Sequence, residues 1–218
     1  MHDPAKILAE LAAAAPGKPP ILLAVTKVFP VEVAQQAYAC GLRNFGESRP
    51  QELTAKAPLM PEDCLWHMIG RLQRNKVRAT IQHAQRIHSV DSLSLLDRID
   101  RIAAEETVTQ RVLLQLNISG EAAKAGFSPE AARALAPRFA EYANLAIEGV
   151  MSMTPRDTSG ADRCRIFAAT RELRNELADA SGLPLPELSM GMSSDYLEAT
   201  AEGSTIVRLG SALFGPRP

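Results

Sequence analysis

The sequence is poor in cysteine and shows no excess of charge of either sign. Its 218 residues include three cysteines, which are odd in number, widely spaced and without metal-ligand spacing: Cys40, Cys64 and Cys164. This usage argues against a disulfide framework and favours reduced thiols in small core positions. Lys and Arg number 24 and Asp and Glu number 25, so the formal net charge is −1 and nothing indicates nucleic acid or another polyanion as a partner.

The sequence also lacks any apolar stretch long enough to span a membrane, and it lacks a signal peptide. Its first residues lead directly into a helical pattern in which Asp3 is a candidate N-cap. We therefore expect a soluble, cytoplasmic protein with no membrane partner. Hydrophobic residues make up 46% of the chain, enough for the core of one α/β domain over residues 1–218, with two small domains as the less favoured alternative.

After a first helix over residues 4–15, short apolar runs alternate with segments of helical spacing. The runs that predict strands are Ile21–Val25, Asn44–Gly46, Leu65–Ile69, Arg86–Val90, Val112–Asn117, Ala146–Met153, Leu188–Met192 and Ile206–Leu209. The segments that predict helices are Val31–Ala39, Pro50–Lys56, Asn75–His83, Ser92–Glu105, Pro129–Ala143, Asp162–Ser181 and Asp195–Glu202. Eight strands and seven intervening helices predict a (β/α)8 barrel. An open doubly wound sheet is the alternative, but no Gly-x-Gly-x-x-Gly follows the first strand.

The first predicted strand is a continuous apolar run that is closed by a lysine, Ile21–Lys27. A lysine at the carboxyl end of a buried strand loses hydration, which favours the neutral amine that forms Schiff bases with carbonyl compounds. A lysine that merely ends the strand and points to water is the alternative interpretation. In a barrel the carboxyl ends of all strands converge on the face that holds active sites, so we expect Lys27 to lie on that face.

The last two predicted strands indicate a phosphate site on the same face. Met190–Asp195 and Gly203–Ala212 are rich in glycine and serine, whose main-chain N–H groups can converge on an anion. The loops after strands seven and eight are a frequent phosphate site in barrels. Helix capping by Ser193 and Ser194 is an equally weighted alternative.

Arg208 alternates with apolar neighbours on the last predicted strand and is therefore expected to face the barrel interior. A buried guanidinium needs a partner, which is either a carboxylate such as Glu47 or Asp91 or an acceptor on a ligand. A lysine, an arginine and a phosphate cradle on one face would suit pyridoxal phosphate (PLP), which needs an amine for its aldehyde, a partner for its ring nitrogen and a phosphate pocket.

With these residues assembled, the sequence resembles the pyridoxal phosphate homeostasis protein family. The matching motifs, which cover essentially the whole chain in order, are Leu23–Lys27 (Leu-Ala-Val-Thr-Lys), Asn44–Glu47 (Asn-Phe-Gly-Glu), Trp66–Lys76, Ile87–Ser92, Gln115–Ser119, Gly149–Met153, Ser189–Ser193 and Gly203–Gly215. The resemblance implies a single barrel like the N-terminal domain of alanine racemase. One departure is Ser48-Arg49-Pro50, where the family usually has Asn-Tyr after Phe-Gly-Glu, so a contact through that asparagine is not expected here.

The resemblance also implies roles for individual residues. PLP would be held as a Schiff base on Lys27, with Arg208 facing the pyridine nitrogen. The phosphate would be held by Ser193, Gly210 and Ser211. Asn44 would line the pocket, and Met192 would contact the ring or its surroundings.

An arginine beside the ring nitrogen disfavours its protonation, which weakens the ring as an electron sink and argues against transaminase-like chemistry. Related racemases take a second base from a C-terminal domain and a dimer partner, and no sequence for that domain follows Phe214–Pro218. We therefore expect a monomeric PLP carrier for vitamin B6 homeostasis that supplies PLP-dependent apo-enzymes without robust catalysis. A slow PLP-dependent amino-acid racemase, with His67 or a water as second acid–base group, is the alternative, and a cofactor-independent Schiff-base lyase is a third.

Two further features have a structural and a functional interpretation. His67 lies beside Trp66 on a predicted strand, and a packed, hydrogen-bonded histidine is favoured over a catalytic acid–base. Arg71–Lys76 and Arg78 form a basic segment, for which a solvated surface is favoured over an anion-binding or regulatory site.

Overall fold

The computed structural model describes residues 2–120, 125–155 and 157–216, and these form a closed barrel of eight parallel strands. The strands follow one another around the barrel in chain order, and the last pairs with the first. They are β1 (Ile21–Val25), β2 (Asn44–Glu47), β3 (Leu65–Met68), β4 (Arg86–Val90), β5 (Gln110–Gln115), β6 (Leu145–Met151), β7 (Glu187–Met192) and β8 (Ile206–Leu209). The predicted (β/α)8 barrel is confirmed, and the doubly wound sheet is wrong.

Helices connect the strands and pack around the barrel. In the described ranges they are α1 (Pro4–Ala14), α2 (Val31–Ala39), α3 (Pro50–Lys56), α4 (Val77–Ile81), α5 (Leu93–Glu105), α6 (Pro129–Leu135), α7 (Gly160–Ser181), α8 (Tyr196–Ala201) and α9 (Ser211–Phe214). The first begins where the sequence predicts, because the Asp3 carboxylate accepts the Ala5 N–H at 2.9 Å. No helix in these ranges is both long and apolar enough to cross a membrane.

Two predicted helices and one predicted turn differ from the structure. The segment predicted at Asn75–His83 begins instead with a 3-10 turn at Arg74–Lys76 before α4. The segment predicted at Pro129–Ala143 changes to a 3-10 helix after α6, at Ala136–Glu141, where Pro137 has no N–H to donate to an α-helical bond. The turn predicted after β8 contains the short helix α9, which sequence reasoning missed.

The two faces of the sheet differ in chemistry. Outward side chains such as Phe45 and Trp66 join the apolar core between strands and helices. Inward side chains include His88 of β4 and Ser189 of β7, both fully buried. Because β4 and β7 are not neighbours, the contact between these two side chains crosses the barrel interior. The interior is therefore partly polar, and its polar groups depend on one another for hydrogen bonds.

Candidate functional site

A cavity of about 500 Å³ lies at the carboxyl-terminal end of the barrel. Residues at or beyond the ends of six strands line it: Val25, Lys27, Phe29, Ser48, Ile69, Met153, Met192, Ser193, Ser194, Arg208, Gly210 and Ser211. The lining includes six of the seven residues that the resemblance predicts to bind the cofactor. The seventh, Asn44, lies at the start of β2 and does not line the cavity.

The backbone around Lys27 is held from both sides. The preceding carbonyl, of Thr26, accepts a hydrogen bond from Lys56 Nζ at 2.9 Å. The following residue, Val28, has a positive φ of 65°, which is unfavourable for a β-branched side chain, and its N–H donates to Glu52 Oε2 at 2.7 Å. Lys27 itself is half-buried. The turn that presents Lys27 to the cavity is thus fixed by side chains of α3.

Behind this turn lies a buried ion pair that sequence reasoning missed. Lys56 Nζ and Thr26 Oγ1 each lie 2.7 Å from Glu47 Oε1, and Glu47 is fully buried. Its second oxygen, Oε2, has no hydrogen-bond partner among the described residues. Burial raises the pKa of Glu47, and the bonds from Lys56 and Thr26 oppose that rise. The sequence signal for Lys56 is weak, because a lysine ending a helix is ordinarily solvated.

Arg208 is buried beneath the cavity with no carboxylate partner. It is 5% exposed, and no acidic oxygen of the described ranges lies within 4.0 Å of it. Glu47 pairs with Lys56 and Asp91 lies 3.8 Å from Arg71, so both carboxylates proposed for it are engaged elsewhere. Burial lowers the pKa of Arg208 to about 10, against the opposing effect of the Asp195 charge, which acts without a direct contact. A buried cation with only neutral partners at a cavity wall is typical of a ligand site.

Instead of carboxylates, Arg208 contacts neutral oxygens of Ser189 in β7 and of Ser152, the residue after β6. Its Nη1 donates to the main-chain oxygen and the Oγ of Ser189, at 2.6 and 2.8 Å, and its Nη2 donates to Ser152 O at 3.0 Å. These three bonds use three of the five N–H donors of a guanidinium. The other two have no acceptor among the described residues.

The turns after β7 and β8 converge on Ser193. Its Oγ accepts the main-chain N–H groups of Gly210 at 3.3 Å and Ala212 at 3.1 Å. The buried carboxylate of Asp195 holds the first turn, accepting from Met192 N–H and Thr154 Oγ1, each at 2.6 Å. Ser193 therefore accepts N–H groups at this end of the barrel, and the same donors can serve an anionic oxygen.

Asn44 reaches the site indirectly, through His67. Its Oδ1 lies 3.2 Å from His67 Nε2, and His67 Nδ1 lies 2.9 Å from His88 Nε2. Burial, with Arg86 and Arg111, lowers the pKa of His67 to about 3, and burial lowers that of His88 well below the usual range. His67 is packed and hydrogen-bonded, as the favoured interpretation expects, and does not line the cavity.

The basic segment borders a second, larger depression of about 1,020 Å³. Ser48 lines both this cleft and the cavity, and Gly70 allows its approach, since a Cβ there would lie 2.2 Å from Ser48 O. Arg74 and Lys76 also line the cleft, whereas Arg78 pairs outside it with Glu105 and Glu106. An anion-binding role for the segment stays a prediction.

Comparison with known proteins gives a consistent family. The alanine racemase N-terminal domain family matches residues 8–218. A pyridoxal phosphate homeostasis protein of Pseudomonas aeruginosa is 42% identical over 219 residues, covering 98% of this chain and 94% of that protein. Another from Aquifex aeolicus is 41% identical over 197 residues, covering 90% and 86%.

Solved structures agree. PipY of Synechococcus elongatus with PLP bound has a TM-score of 0.86 and 40% identity, covering 96% of this chain and 100% of that one. The same protein without PLP has a TM-score of 0.91 and 38% identity, covering 98% of both chains. An alanine racemase of Clostridium difficile shares the fold at a TM-score of 0.81 and 16% identity, over all of this chain and 58% of that one. The chain therefore belongs to the pyridoxal phosphate homeostasis protein family.

Proposed function

We propose that this protein binds PLP in the cavity of about 500 Å³, holds it as a Schiff base on Lys27, and contributes to PLP homeostasis without robust catalysis. One observation supports this above the others: Lys27, the Ser193 turn and Arg208 line the same cavity. Arg208 is buried there, and no carboxylate of the described residues contacts it. The donor set fits the cofactor, which supplies an aldehyde for an amine, an acceptor nitrogen in its ring and a phosphate dianion.

Each part of PLP has a counterpart among the lining residues. The Lys27 amine would bond to the aldehyde carbon, with loss of water. Arg208 has two N–H donors without an acceptor in the described chain, one of which suits a pyridine nitrogen. The turn residues Ser193, Gly210 and Ser211 would hold the phosphate, and Met192 would pack beside the ring.

The composition of the lining favours a carrier over a racemase. Among the described residues that line the cavity, only Lys27 and Arg208 have ionisable side chains. Racemisation at an α-carbon needs a proton donor and a proton acceptor on opposite faces of the substrate. Arg208 stays protonated at neutral pH, so Lys27 has no second acid–base group in this lining. This argument extends to the His67 alternative, because His67 lies outside the lining.

Absorption spectroscopy tests the binding mode. Purified protein is mixed with PLP and its visible spectrum is recorded before and after borohydride, followed by peptide mass mapping of the reduced adduct. We expect a Schiff-base band in the wild type and in Lys6→Ala, an exposed-lysine control, with the adduct on Lys27. Lys27→Ala should lack the band. A wild-type protein that stays colourless would sink the proposal.

Proton exchange tests the absence of turnover. The PLP-loaded protein is incubated in D2O with alanine, serine and other amino acids, and loss of the α-proton is followed by NMR. We expect no exchange above the rate of free PLP. Exchange that depends on Lys27 would contradict the carrier proposal and favour a slow racemase.

The remaining expectations stay predictions: a single domain over residues 1–218, a monomer, a cytoplasmic location and PLP-dependent apo-enzymes as recipients. Recovery of activity by an apo-enzyme mixed with the PLP-loaded protein, faster than with the Lys27→Ala variant plus equal PLP, would support delivery.

A further inference from the structure

A continuous row of hydrogen bonds crosses the barrel interior and ends at Arg208. It runs from Asn44 Oδ1 to His67 Nε2 (3.2 Å), from His67 Nδ1 to His88 Nε2 (2.9 Å), from His88 Nδ1 to Ser189 Oγ (2.8 Å), and from Ser189 Oγ to Arg208 Nη1 (2.8 Å). The two histidines, Ser189 and Arg208 are between 0% and 5% exposed. Five strands contribute one residue each: β2, β3, β4, β7 and β8.

The donor and acceptor roles in this row are fixed from its Arg208 end. An arginine can only donate, so Ser189 Oγ accepts from it and passes its own hydrogen to His88 Nδ1. A neutral imidazole has one N–H, so His88 then donates from Nε2 to His67 Nδ1. His67 donates in turn from Nε2, and Asn44 Oδ1 accepts. One pair of tautomers, Nε2–H on both histidines, satisfies every atom in the row.

This direction has an electrostatic consequence. Every group in the row turns its acceptor side toward Arg208, so the row stabilises and orients the guanidinium as a carboxylate would. Unlike a carboxylate, the row carries no net charge, so the only carboxylate whose charge raises the pKa of Arg208 among the described residues is Asp195, which makes no salt bridge with it. A cation without a contacting carboxylate opposes protonation of a pyridine nitrogen beside it more strongly than an ion-paired cation does. Engaging both hydrogens of Nη1 on Ser189 also reserves the two remaining donors of Arg208 for other acceptors.

We infer that His88 and His67 are positioning residues for Arg208, and that their neutral hydrogen-bonded row keeps the ring nitrogen of bound PLP unprotonated. This inference rests on the proposed function, because it concerns the same cofactor. It assigns to Asn44 a role at the end of the row instead of a contact with the cofactor.

The central experiment breaks the row and observes the ring nitrogen. Wild type and His88→Phe are loaded with PLP labelled with 15N in the ring, and the nitrogen chemical shift, the Schiff-base absorption maximum and the affinity are measured. We expect His88→Phe to keep borohydride trapping on Lys27, to lose affinity about tenfold, and to shift both spectral signals, because Ser189 and Arg208 lose their fixed orientation. His88→Gln, whose amide offers an acceptor and a donor, should restore most of the wild-type signals.

A matched control separates positioning from packing. Gln110 is a buried polar side chain whose amide bonds only to main-chain oxygens of residues 84, 85 and 111, away from Arg208. Gln110→Leu should lower the melting temperature without moving either spectral signal. If His88→Phe behaves as this control does, the row is only packing and the inference is wrong. If His88→Phe does not fold, Ser189→Ala breaks the row at its last step and is read by the same criteria.

A measurement on the PLP-free protein distinguishes failure of this inference from failure of the proposed function. The 15N shifts of the imidazole rings should show the Nε2–H tautomer for both His67 and His88. A different tautomer in either ring overturns the inferred direction even if PLP binds. The predicted tautomers in a protein that never binds PLP would confirm the row and refute the cofactor proposal.

Discussion

Two arginines are buried inside the same barrel, and they differ in the partners of their guanidinium groups: carboxylates for one and neutral oxygens for the other. Arg86, 3% exposed at the start of β4, lies 2.7 Å from Glu148 Oε2 and 3.0 Å from Glu187 Oε1. Arg208, 5% exposed and next to the cavity on β8, contacts only serine and main-chain oxygens. The first lies at the amino-terminal end of the barrel and the second toward the end where the cavity lies.

Under the proposed function, Arg86 is a structural charge and Arg208 is a charge that a ligand would engage. Burying a charge costs several kcal/mol, and a pair of carboxylates offsets that cost within the folded chain. Arg86 has this compensation, and Arg111, 2.6 Å from Glu148, extends the network. Arg208 lacks it, so part of its burial cost remains until an acceptor binds in the cavity. We expect variants at the two positions to fail in different ways.

The largest expected effect involves His67, a buried side chain whose pKa falls to about 3 through burial and the charges of Arg86 and Arg111. The unfolded chain takes up a proton near pH 6.5, whereas the folded chain does not until near pH 3. The contribution of His67 to the free energy of unfolding is therefore constant above pH 6.5. It falls by up to about 5 kcal/mol as the pH drops from 6.5 to 3.

Urea unfolding at several pH values measures this effect, with His67→Gln as the comparison, because other groups also titrate. The free energy of unfolding of the wild type should fall more steeply below pH 6.5 than that of His67→Gln. Parallel pH curves would mean that burial and the charges of Arg86 and Arg111 do not hold His67 neutral.

The second prediction breaks the compensated pair. Arg86→Met leaves Glu148 and Glu187 without their buried cation, and we expect a loss of about 3 kcal/mol in the free energy of unfolding. The half-exposed Arg111 is the matched control, and Arg111→Met should cost about 1 kcal/mol or less. Equal losses in the two variants would show that the cost of removing an arginine does not depend on its burial here.

The sequence predicts the barrel and the site around Arg208, but it does not predict the partners of Arg208. The alternation of apolar runs and helical spacing predicts the barrel, and the positions of Lys27 and Ser193 at strand ends predict that they meet. The partner of Arg208 was beyond this reasoning: Glu47 and Asp91 were candidates, and both pair elsewhere. Partner choice depends on the register between strands, and that register shifts between Ser189 and Met192, at the point where β7 meets Arg208.

The row from Asn44 to Arg208 shows the same limit more sharply. Its members lie on two groups of consecutive strands, β2 to β4 and β7 to β8, and the contact between β4 and β7 forms only because the barrel closes. A strand pattern predicts that either Trp66 or His67 faces the interior but gives no distance across the barrel. The buried pair of Lys56 and Glu47 was missed for a related reason, since the carboxyl-terminal turn of α3 reaches inward only after β2 and α3 have packed.

The third prediction concerns Arg208, the arginine without a carboxylate in contact. Arg208→Met removes a buried charge together with three hydrogen bonds to neutral oxygens, so the two effects on the PLP-free protein nearly cancel. We expect a change of about 1 kcal/mol in either direction. Affinity for PLP, from titration of the visible band, should fall at least about tenfold. A loss of stability as large as that of Arg86→Met would make Arg208 a structural residue.

The smallest expected effect comes from two serines whose Oγ atoms accept main-chain N–H groups, one at the cavity and one outside it. Ser193 Oγ accepts the N–H groups of Gly210 and Ala212 at the cavity, and Ser128 Oγ accepts the Ala131 N–H at 3.2 Å at the start of α6, outside the cavity lining. Each serine-to-alanine change should destabilise the PLP-free protein by about 1 kcal/mol, because the N–H groups lose their acceptor. Saturating PLP should cancel the loss in Ser193→Ala, since phosphate oxygens replace the missing acceptor, and should leave the loss in Ser128→Ala unchanged. Thermal unfolding of the wild type and both variants, each PLP-free and PLP-loaded, decides this. An equal residual loss in both variants would mean that the Ser193 turn does not hold the phosphate.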